Sequence, residues 1–273
     1  MNVLSVFDGC SMARLALERA GIPSKQYFAS EIDKYAIQIS RKNYPDIIHV
    51  GDVEYVGKTN DSPNFDLLIG GSPCQGFSFA GKQLNFDDPR SKLFFEYVRI
   101  LKEFEPKYFL LENVRMKKQY QDIISEHLGV EPIAINSNLV SAQNRYRLYW
   151  TNIPVESLPE DKGIMLKDIL LDDAQEPMLS NIYGGFKEKK PRVHFDKSVT
   201  IRTASGGGHI PSVTLRNHAF DGSKHRKLTP VECERLQTLP DNYTEGISNT
   251  QRYKMIGNGF TVDVVAHILK GIK

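Results

Sequence analysis

The sequence has few of the features that indicate an extracellular or membrane-bound protein. It contains three cysteines and no Cys-x-x-Cys pair, so neither a disulfide framework nor a structural zinc site is expected. No apolar run approaches the roughly 18 residues that cross a bilayer. Met1 leads straight into a strand-like segment rather than a signal peptide. We therefore expect a cytoplasmic protein that needs no metal ion.

The charge balance is also nearly even, because the formal net charge is only +2. Such a small excess does not by itself indicate nucleic-acid binding. The 273 residues, of which 40% are hydrophobic, are enough for one large domain and a smaller one. Short apolar strands alternate with helical patterns as far as Trp150, which predicts a doubly wound, mostly parallel α/β sheet.

The most informative segment is 70–78, where Cys74 follows a proline in a glycine-rich turn. Residues 65–69 before it have the pattern of a short buried strand, so the turn would present the thiol at a strand end. A lone cysteine is more often a small buried hydrophobe. A free thiol, with a pKa of about 8.5, would also need activation to act as a nucleophile at neutral pH.

A second strand pattern, at 108–111, runs directly into Glu112. Two adjacent parallel strands would deliver Cys74 and Glu112 to one carboxyl edge, where open α/β sheets bind their ligands. A glutamate in an apolar setting can be protonated, or can interact with a substrate nitrogen. The two residues together predict a catalytic site.

The N-terminal segment has the order strand, tight turn, helix. Residues 3–7 lead into a turn that contains Gly9 and Ser11, and a helical apolar stripe follows. A glycine turn after a strand is a weak indication of a nucleotide-type cofactor. Glu31 ends a second strand pattern about twenty residues later, where dinucleotide-binding folds place a carboxylate for ribose hydroxyls.

A series of short motifs resembles the signature series of the DNA (cytosine-5)-methyltransferases, in the compact bacterial and phage form. The motifs are Pro73-Cys74-Gln75, Glu112-Asn113-Val114, Gln143-Asn144-Arg145-Tyr146-Arg147, the segment 226–237 and Gly257-Asn258-Gly259-Phe260. Each motif alone is weak evidence. The whole series in the family's order, over nearly the whole chain, is not expected by chance.

The resemblance implies a covalent mechanism on a cytosine flipped out of duplex DNA. Cys74 would add to C6 of the base, and Glu112 would contact N3 and the exocyclic amine. Arg147 would contact the flipped base, whereas Arg145 would lie nearer the backbone phosphates. Either a water or a side chain would then remove the C5 proton.

The resemblance also implies S-adenosylmethionine as the methyl donor. Phe7 and Gly9 match the family's Phe-x-Gly-x-Gly turn, and Ser11 replaces its second glycine. Glu31 would bind the ribose and Ile32 would pack on the adenine. The other implied cofactor residues are Asp52, which would accept from the adenine amine, Val53, Pro73, Leu93, Asn258 and Phe260. The alternative interpretation of Asp33 and Asp52 is that they are helix N-caps.

Basic residues are concentrated in segment 186–227, where only three acidic residues oppose them. They are Lys187, Lys189, Lys190, Arg192, Lys197, Arg202, Arg216, Lys224, Arg226 and Lys227. A solvated basic face is one interpretation. A lobe that contacts DNA also explains the glycines at 184–185 and 206–208.

The resemblance assigns DNA contacts to this lobe and to a loop after Cys74. Thr200 matches the residue that packs beside the flipped cytosine, and Arg202 is the best candidate to read a base edge. The other candidate DNA-binding residues are Gln75, Ser78, Ala80, Lys82 and Gln83 near Cys74, and Gly207, His209 and Arg216, which lie in or near the glycine-rich loop of the lobe. We expect a catalytic and cofactor-binding domain at 1–153, a small irregular target-recognition lobe at 176–225, and a return to the catalytic domain at 226–273.

Double-stranded DNA is therefore the expected partner of a monomeric enzyme, and the sequence leaves open whether a cognate restriction endonuclease exists. Two alternatives are methylation of transfer RNA by the same chemistry and a non-catalytic DNA-binding protein on the same scaffold. The glycine-rich lobe counts against the first. The presence of Cys74, Glu112 and Arg147 counts against the second.

Overall fold

A computed structural model describes residues 1–72, 92–180, 192–203, 210–218 and 224–273. The chain divides into two compact units. The first consists of Met1–Ile135, Tyr146–Leu158 and Val265–Lys273, and the second of Asn136–Arg145 and Pro159–Val264. The chain passes from the first unit to the second within the proline-rich stretch 154–159. Residues 226–264 group with the second unit, so the observed boundary differs from the predicted return at residue 226.

The first unit is built on a seven-stranded sheet in the order β3-β2-β1-β4-β5-β7-β6. Its strands are β1 Asn2–Val6, β2 Gln26–Ser30, β3 Ile48–Gly51, β4 Leu67–Gly70, β5 Tyr108–Val114, β6 Ile133–Asn136 and β7 Tyr146–Thr151. Its helices are α1 Met12–Ala20, α2 Lys34–Asn43, α3 Lys92–Phe104 and α4 Lys118–Leu128. The pairs β1–β2, β1–β4, β2–β3 and β4–β5 are parallel, whereas β5–β7 is antiparallel. The predicted doubly wound α/β sheet is confirmed.

Strands β4 and β5 lie side by side in parallel, as the two apolar runs predicted. Leu68 is in register with Phe109, and Gly70 with Leu111. All three of these apolar side chains are buried in the core of the first unit, together with Leu4 and Trp150. Because the strands are adjacent and parallel, their carboxyl ends meet at one edge of the sheet.

The second unit contains a four-stranded antiparallel sheet in the order β11-β10-β8-β9. These strands are β8 Ala174–Ser180, β9 Arg192–His194, β10 Ser212–Leu215 and β11 His225–Lys227. The lobe that we predicted as irregular therefore has a sheet as its frame. Three helices follow: α5 Pro230–Leu236, α6 Asn249–Asn258 and α7 Val262–Leu269, the last of which continues into the first unit.

Helix α5 begins with a capping box. Thr229 is the N-cap, and its hydroxyl accepts from the backbone N–H of Glu232, whose carboxylate in turn accepts from the backbone N–H of Thr229. Pro230 occupies the first turn, where its missing N–H costs nothing. Cys233 is buried on the packed face of the helix. No helix in the described ranges is both long and apolar enough to cross a membrane.

Candidate active site

Glu112 and Arg147 form an ion pair at the carboxyl end of β5. Arg147 Nε lies 2.9 Å from Glu112 Oε1, and the two side chains are 12% and 13% exposed. Within the described residues, neither atom makes a well-aligned hydrogen bond despite this short distance. Buried polar atoms are nearly always hydrogen-bonded, so a pair left in this state at a sheet edge is suited to a polar ligand.

The end of β4 leaves room for the Glu112 carboxylate. A Cβ on Gly71 would lie 3.2 Å from Glu112 Oε2, and a Cβ on Gly70 would lie 2.7 Å from the carbonyl oxygen of Val6. Both contacts are closer than a side chain normally tolerates. The two glycines therefore allow β4 to pack against β1 while Glu112 sits beside its exit.

A hydrogen bond links the exits of the two strands. Asn113 Nδ2 donates to Ser72 Oγ at 3.5 Å, and Asn113 Oδ1 accepts from the backbone N–H of Val114 at 2.7 Å. Cys74 follows Ser72 by two residues, outside the described residues. The other predicted site residues outside the described ranges are Pro73, Gln75, Ser78, Ala80, Lys82, Gln83, Gly207 and His209.

The turn after β1 has three residues in the left-handed conformation. The φ angles are 56° at Phe7, 60° at Gly9 and 62° at Ser11. A Cβ on Gly9 would have no described heavy atom within 4 Å, so this side of the turn is open. The backbone N–H of Gly9 donates to Glu31 Oε2 at 2.8 Å. This hydrogen bond fixes the Glu31 carboxylate to the turn that contains Gly9.

Glu31 and Ile32 together present a polar and an apolar surface beside this turn. Glu31 Oε1 accepts from the backbone N–H groups of Ile32 and Asp33, each at 2.8 Å. The Ile32 side chain is 71% exposed, which is unusual for a large aliphatic residue. An oriented carboxylate next to an uncovered apolar side chain fits the ribose and base of a nucleoside.

Asp33 and Asp52 both act as N-caps, as the alternative interpretation proposed. Asp33 Oδ1 accepts from the backbone N–H of Tyr35 at the start of α2, and Asp52 Oδ1 accepts from that of Glu54. Capping uses one oxygen, so it is compatible with a second acceptor role for the Asp52 carboxylate. Val53 is buried, and the half-buried Leu93 packs against the core of the first unit.

Asp8 was not identified by sequence reasoning, although it stands in the same turn. Its carboxylate accepts from Tyr27 Oη and from Ser11 Oγ, each at 2.6 Å. Burial raises its pKa from the ordinary 3.8 to about 6, against the lowering effect of hydrogen bonds from Ser11, Ser5 and Tyr27. A charged residue directly after a buried strand was the signal that could have identified it.

In the second unit, Arg145 is only 2% exposed. Its guanidinium donates to the carbonyl oxygens of Ile201 (3.2 Å), Gly257 (3.2 Å) and Gly259 (2.6 Å). These contacts give Arg145 a structural role that the sequence did not suggest, because the carbonyls come from residues far along the chain. Its contact with a phosphate stays a prediction.

The segment that carries Thr200 and Arg202 is held against the same motif. Thr200 Oγ1 donates to the carbonyl of Asn144 at 2.6 Å, and Gln143 Oε1 accepts from the backbone N–H of Ile201 at 2.8 Å. Arg202 and Arg216 are both exposed. Two side chains proposed to contact DNA are therefore accessible. In the same unit, Asn258 is the exposed last residue of α6 and Phe260 is half-buried.

Two of the basic residues counted toward the DNA-contacting lobe are bound within the second unit. Arg226 pairs with Asp173 at 2.6 Å and with Glu232 at 2.8 Å, and these carboxylates raise its pKa. Lys197 Nζ donates to three backbone carbonyls, those of Asn138, Ser141 and Ile164. The count of basic residues therefore overstates the charge available to DNA.

Comparison with known proteins gives a consistent result. The family model for C-5 cytosine-specific DNA methylases matches residues 1–153 and 180–273. The chain is 31% identical to the Type II methyltransferase M1.ScrFI of Lactococcus lactis subsp. cremoris, over 97% of this chain and 76% of that protein. It is 29% identical to the Type II methyltransferase M.NlaX of Neisseria lactamica, over 100% and 96% of the two chains.

Among solved structures, the methyltransferase EhMeth of Entamoeba histolytica has the same fold. The TM-score is 0.75 at 19% identity, and the match covers 99% of this chain and 97% of that one. The family match extends over both parts of the chain that carry the Glu112–Arg147 pair and the Arg145 contacts. The chain therefore belongs to the C-5 cytosine-specific DNA methylase family.

Proposed function

We propose that this chain methylates C5 of a cytosine flipped out of duplex DNA, with S-adenosylmethionine as the methyl donor. The observation that carries the proposal is the Glu112–Arg147 pair beside the exit of β4, which ends at Gly70, four residues before Cys74. Within the described residues, Glu112 Oε1 and Arg147 Nε make no aligned hydrogen bond, so the pair suits the polar edge of a base. The family of the chain performs this reaction on DNA.

The chain's residues have distinct parts in the proposed reaction. The Cys74 thiolate adds to C6, and the electron pair of the C5–C6 double bond moves to C5. This carbon would take the methyl group from S-adenosylmethionine, whose sulfonium sulfur would leave as a thioether. Glu112 contacts N3 and the exocyclic amine, which stabilises the charge that develops as the thiolate adds. Arg147 orients Glu112 and contacts the base. A base then takes the C5 proton, the double bond re-forms and the thiolate leaves.

The first unit offers a site that fits the cofactor. Gly9 leaves open space for a ligand, Glu31 presents a fixed carboxylate, and Ile32 offers an uncovered apolar surface for the adenine. Asp52 retains a second oxygen for the adenine amine. When bound, S-adenosylmethionine supplies an electrophilic methyl group on a sulfonium centre. We expect a monomer to carry out the reaction.

Replacement of Cys74 tests the covalent step. Cys74→Ser should abolish turnover and retain DNA binding, because a serine hydroxyl forms far less alkoxide than a thiol forms thiolate at neutral pH. Wild-type protein incubated with cofactor and 5-fluorocytosine DNA should form a stable adduct, since fluorine does not leave as a proton does. The adduct is measured by denaturing electrophoresis.

The control is Cys233→Ala, which removes a buried thiol of the second unit and should form the adduct normally. Near-normal turnover of Cys74→Ser would contradict covalent catalysis through this residue. A transfer-RNA transcript containing 5-fluorocytosine separates the two substrate classes. Trapping on the RNA and not on the DNA would favour the RNA alternative.

A further inference from the structure

A buried network of hydrogen bonds lies behind the turn after β1 and takes no part in the proposed chemistry. Asp8 accepts from Tyr27 of β2 and from Ser11 at the start of α1. Ser11 Oγ lies 2.6 Å from Ser40 Oγ of α2, and Ser40 Oγ lies 3.3 Å from His49 Nε2 of β3. The network therefore joins the turn to two strands and two helices.

Counting protons gives the network a direction. A hydroxyl has one proton to donate, so when Ser11 donates to the Asp8 carboxylate it must accept from Ser40. Ser40 has then used its own proton and must accept from an N–H at His49 Nε2. The whole chain of donors points toward Asp8, whose carboxylate is its final acceptor.

The residue held by this network has a demanding backbone conformation. Ser11 has φ 62° and ψ 37°, a region that glycine enters freely and other residues enter rarely. Ser11 stands at the N-cap of α1, yet its hydroxyl makes no capping hydrogen bond and instead contacts Asp8 and Ser40. The side chain is used to hold the turn rather than to cap the helix.

The charged form of Asp8 is unfavourable where it stands. Asp8 is 8% exposed, and burial raises its pKa to about 6. The negative charge of nearby Glu31 raises the pKa of Asp8 further. The positive charge of Arg14 in α1 acts to lower the pKa of Tyr27, although burial raises it overall. Strongly perturbed groups of this kind are concentrated at functional sites.

We propose that Asp8 is a positioning residue for the cofactor: its carboxylate holds Ser11 in the left-handed conformation and so fixes the turn through which Gly9 meets S-adenosylmethionine. The proposal rests on the proposed use of S-adenosylmethionine at this turn. Asp8 acts through Ser11, so the effect of removing it depends on which residue occupies position 11. A glycine there adopts the same φ without a hydroxyl to be held.

The test is a double-mutant cycle of Asp8→Asn and Ser11→Gly, read by calorimetric titration of S-adenosylmethionine. Asp8→Asn should weaken cofactor binding about tenfold or more, as expected for the loss of a hydrogen bond to a charged group. Ser11→Gly should bind within about threefold of wild type. The double variant should recover most of the affinity that Asp8→Asn loses, so the two changes should be non-additive.

Two further measurements separate positioning from general damage. At saturating cofactor, the kcat of Asp8→Asn should stay within a few-fold of wild type while the KM for the cofactor rises. Asp46→Asn, which changes an exposed aspartate paired with Arg14, is the matched control and should leave affinity unchanged. If Asp8→Asn does not fold, Tyr27→Phe removes one donor to the same carboxylate and should weaken binding in the same direction.

Each outcome decides the proposal. An Asp8→Asn protein that binds the cofactor as wild type does overturns the positioning role and leaves the proposed function intact. An equally large loss in the Ser11→Gly background means that Asp8 does not act through Ser11, and it also overturns the proposal. Failure of the wild type to bind S-adenosylmethionine would instead overturn both this proposal and the proposed cofactor.

Discussion

At the residue scale, the Glu112–Arg147 pair combines charge with a fixed orientation. Both side chains are largely shielded from water, so the interaction between them is stronger than that of a surface pair. Removal of one partner leaves a poorly solvated charge, which is costly. Arginine does not deprotonate in proteins, so Arg147 is a constant cationic neighbour for the Glu112 carboxylate.

Glu112→Gln tests this interpretation with little change in shape. The variant loses the negative charge that faces the base, so we expect kcat to fall by about 10²- to 10³-fold, the usual effect of removing one preorganised electrostatic contact. Affinity for S-adenosylmethionine should not change, because none of the residues proposed to bind it belongs to β5. Methyl incorporation into DNA at saturating cofactor measures kcat. Glu126→Gln, at an exposed position of α4, is the control, and a kcat for Glu112→Gln equal to that of this control would contradict the assigned role.

How far single residues could be predicted depended on the distance of their partners in sequence. Glu112 and Glu31 follow apolar runs directly, so local pattern alone put them at strand ends. The structural contacts of Arg145 could not be predicted, because its three carbonyl partners lie 56 to 114 residues further along. Arg226 was counted as available to DNA for the same reason, since Asp173 is 53 residues away.

At the element scale, the close approach of α6 to the segment 201–203 depends on Gly257. A Cβ at this position would lie 2.4 Å from the carbonyl carbon and oxygen of Arg202 and 2.7 Å from the backbone nitrogen of Thr203. These atoms belong to the backbone and cannot rotate away. Thr200 and Arg202, both proposed to contact DNA, are thus held by a contact that only glycine permits.

Gly257→Ala should therefore destabilise the protein despite the better helix propensity of alanine. Overpacking costs about 1–3 kcal/mol, while the gain from replacing a helical glycine is about 1 kcal/mol. We expect a net loss of up to about 2 kcal/mol in the free energy of unfolding, measured with urea, and weaker binding to cognate DNA. The control is Gly57→Ala, whose Cβ would make only an ordinary contact 3.5 Å from Glu103. Increased stability of Gly257→Ala would show that the segment shifts without strain.

The elements that sequence predicted well are those with strong local patterns. The apolar runs at 3–7, 65–69 and 108–111 correspond to β1, β4 and β5. Strands β9 and β11 were not predicted, because each is three residues long and mostly polar. Their strand character comes from pairing with β8 and β10, which no local pattern reveals.

At the scale of the whole molecule, buried ionisable groups make stability depend on pH. Burial raises the pKa values of Asp8, Tyr27, Tyr97 and Cys233. A group whose folded pKa is raised binds protons more tightly in the folded state, so stability falls as pH rises from the unfolded toward the folded value. For the two tyrosines and the cysteine this loss begins above about pH 9, near the ordinary pKa values of these groups.

For Asp8 the same loss falls in the acidic range, between the ordinary pKa of 3.8 and the folded value of about 6. Other carboxylates also titrate there, so the informative quantity is the difference in free energy of unfolding between wild type and Asp8→Asn. This difference should decline as pH rises from 4 to 7, by about 3 kcal/mol at 1.36 kcal/mol for each tenfold change in proton affinity. Urea unfolding at closely spaced pH values measures this difference. In the control, the difference in free energy of unfolding between wild type and Asp46→Asn should not change with pH.

A wild type that gains stability over Asp8→Asn across this range would mean that the hydrogen bonds from Ser11 and Tyr27 outweigh burial, and that Asp8 stabilises the fold as a carboxylate. The expected decline instead makes Asp8 a residue that lowers stability at neutral pH, the usual consequence of placing a charged group where a binding site needs it.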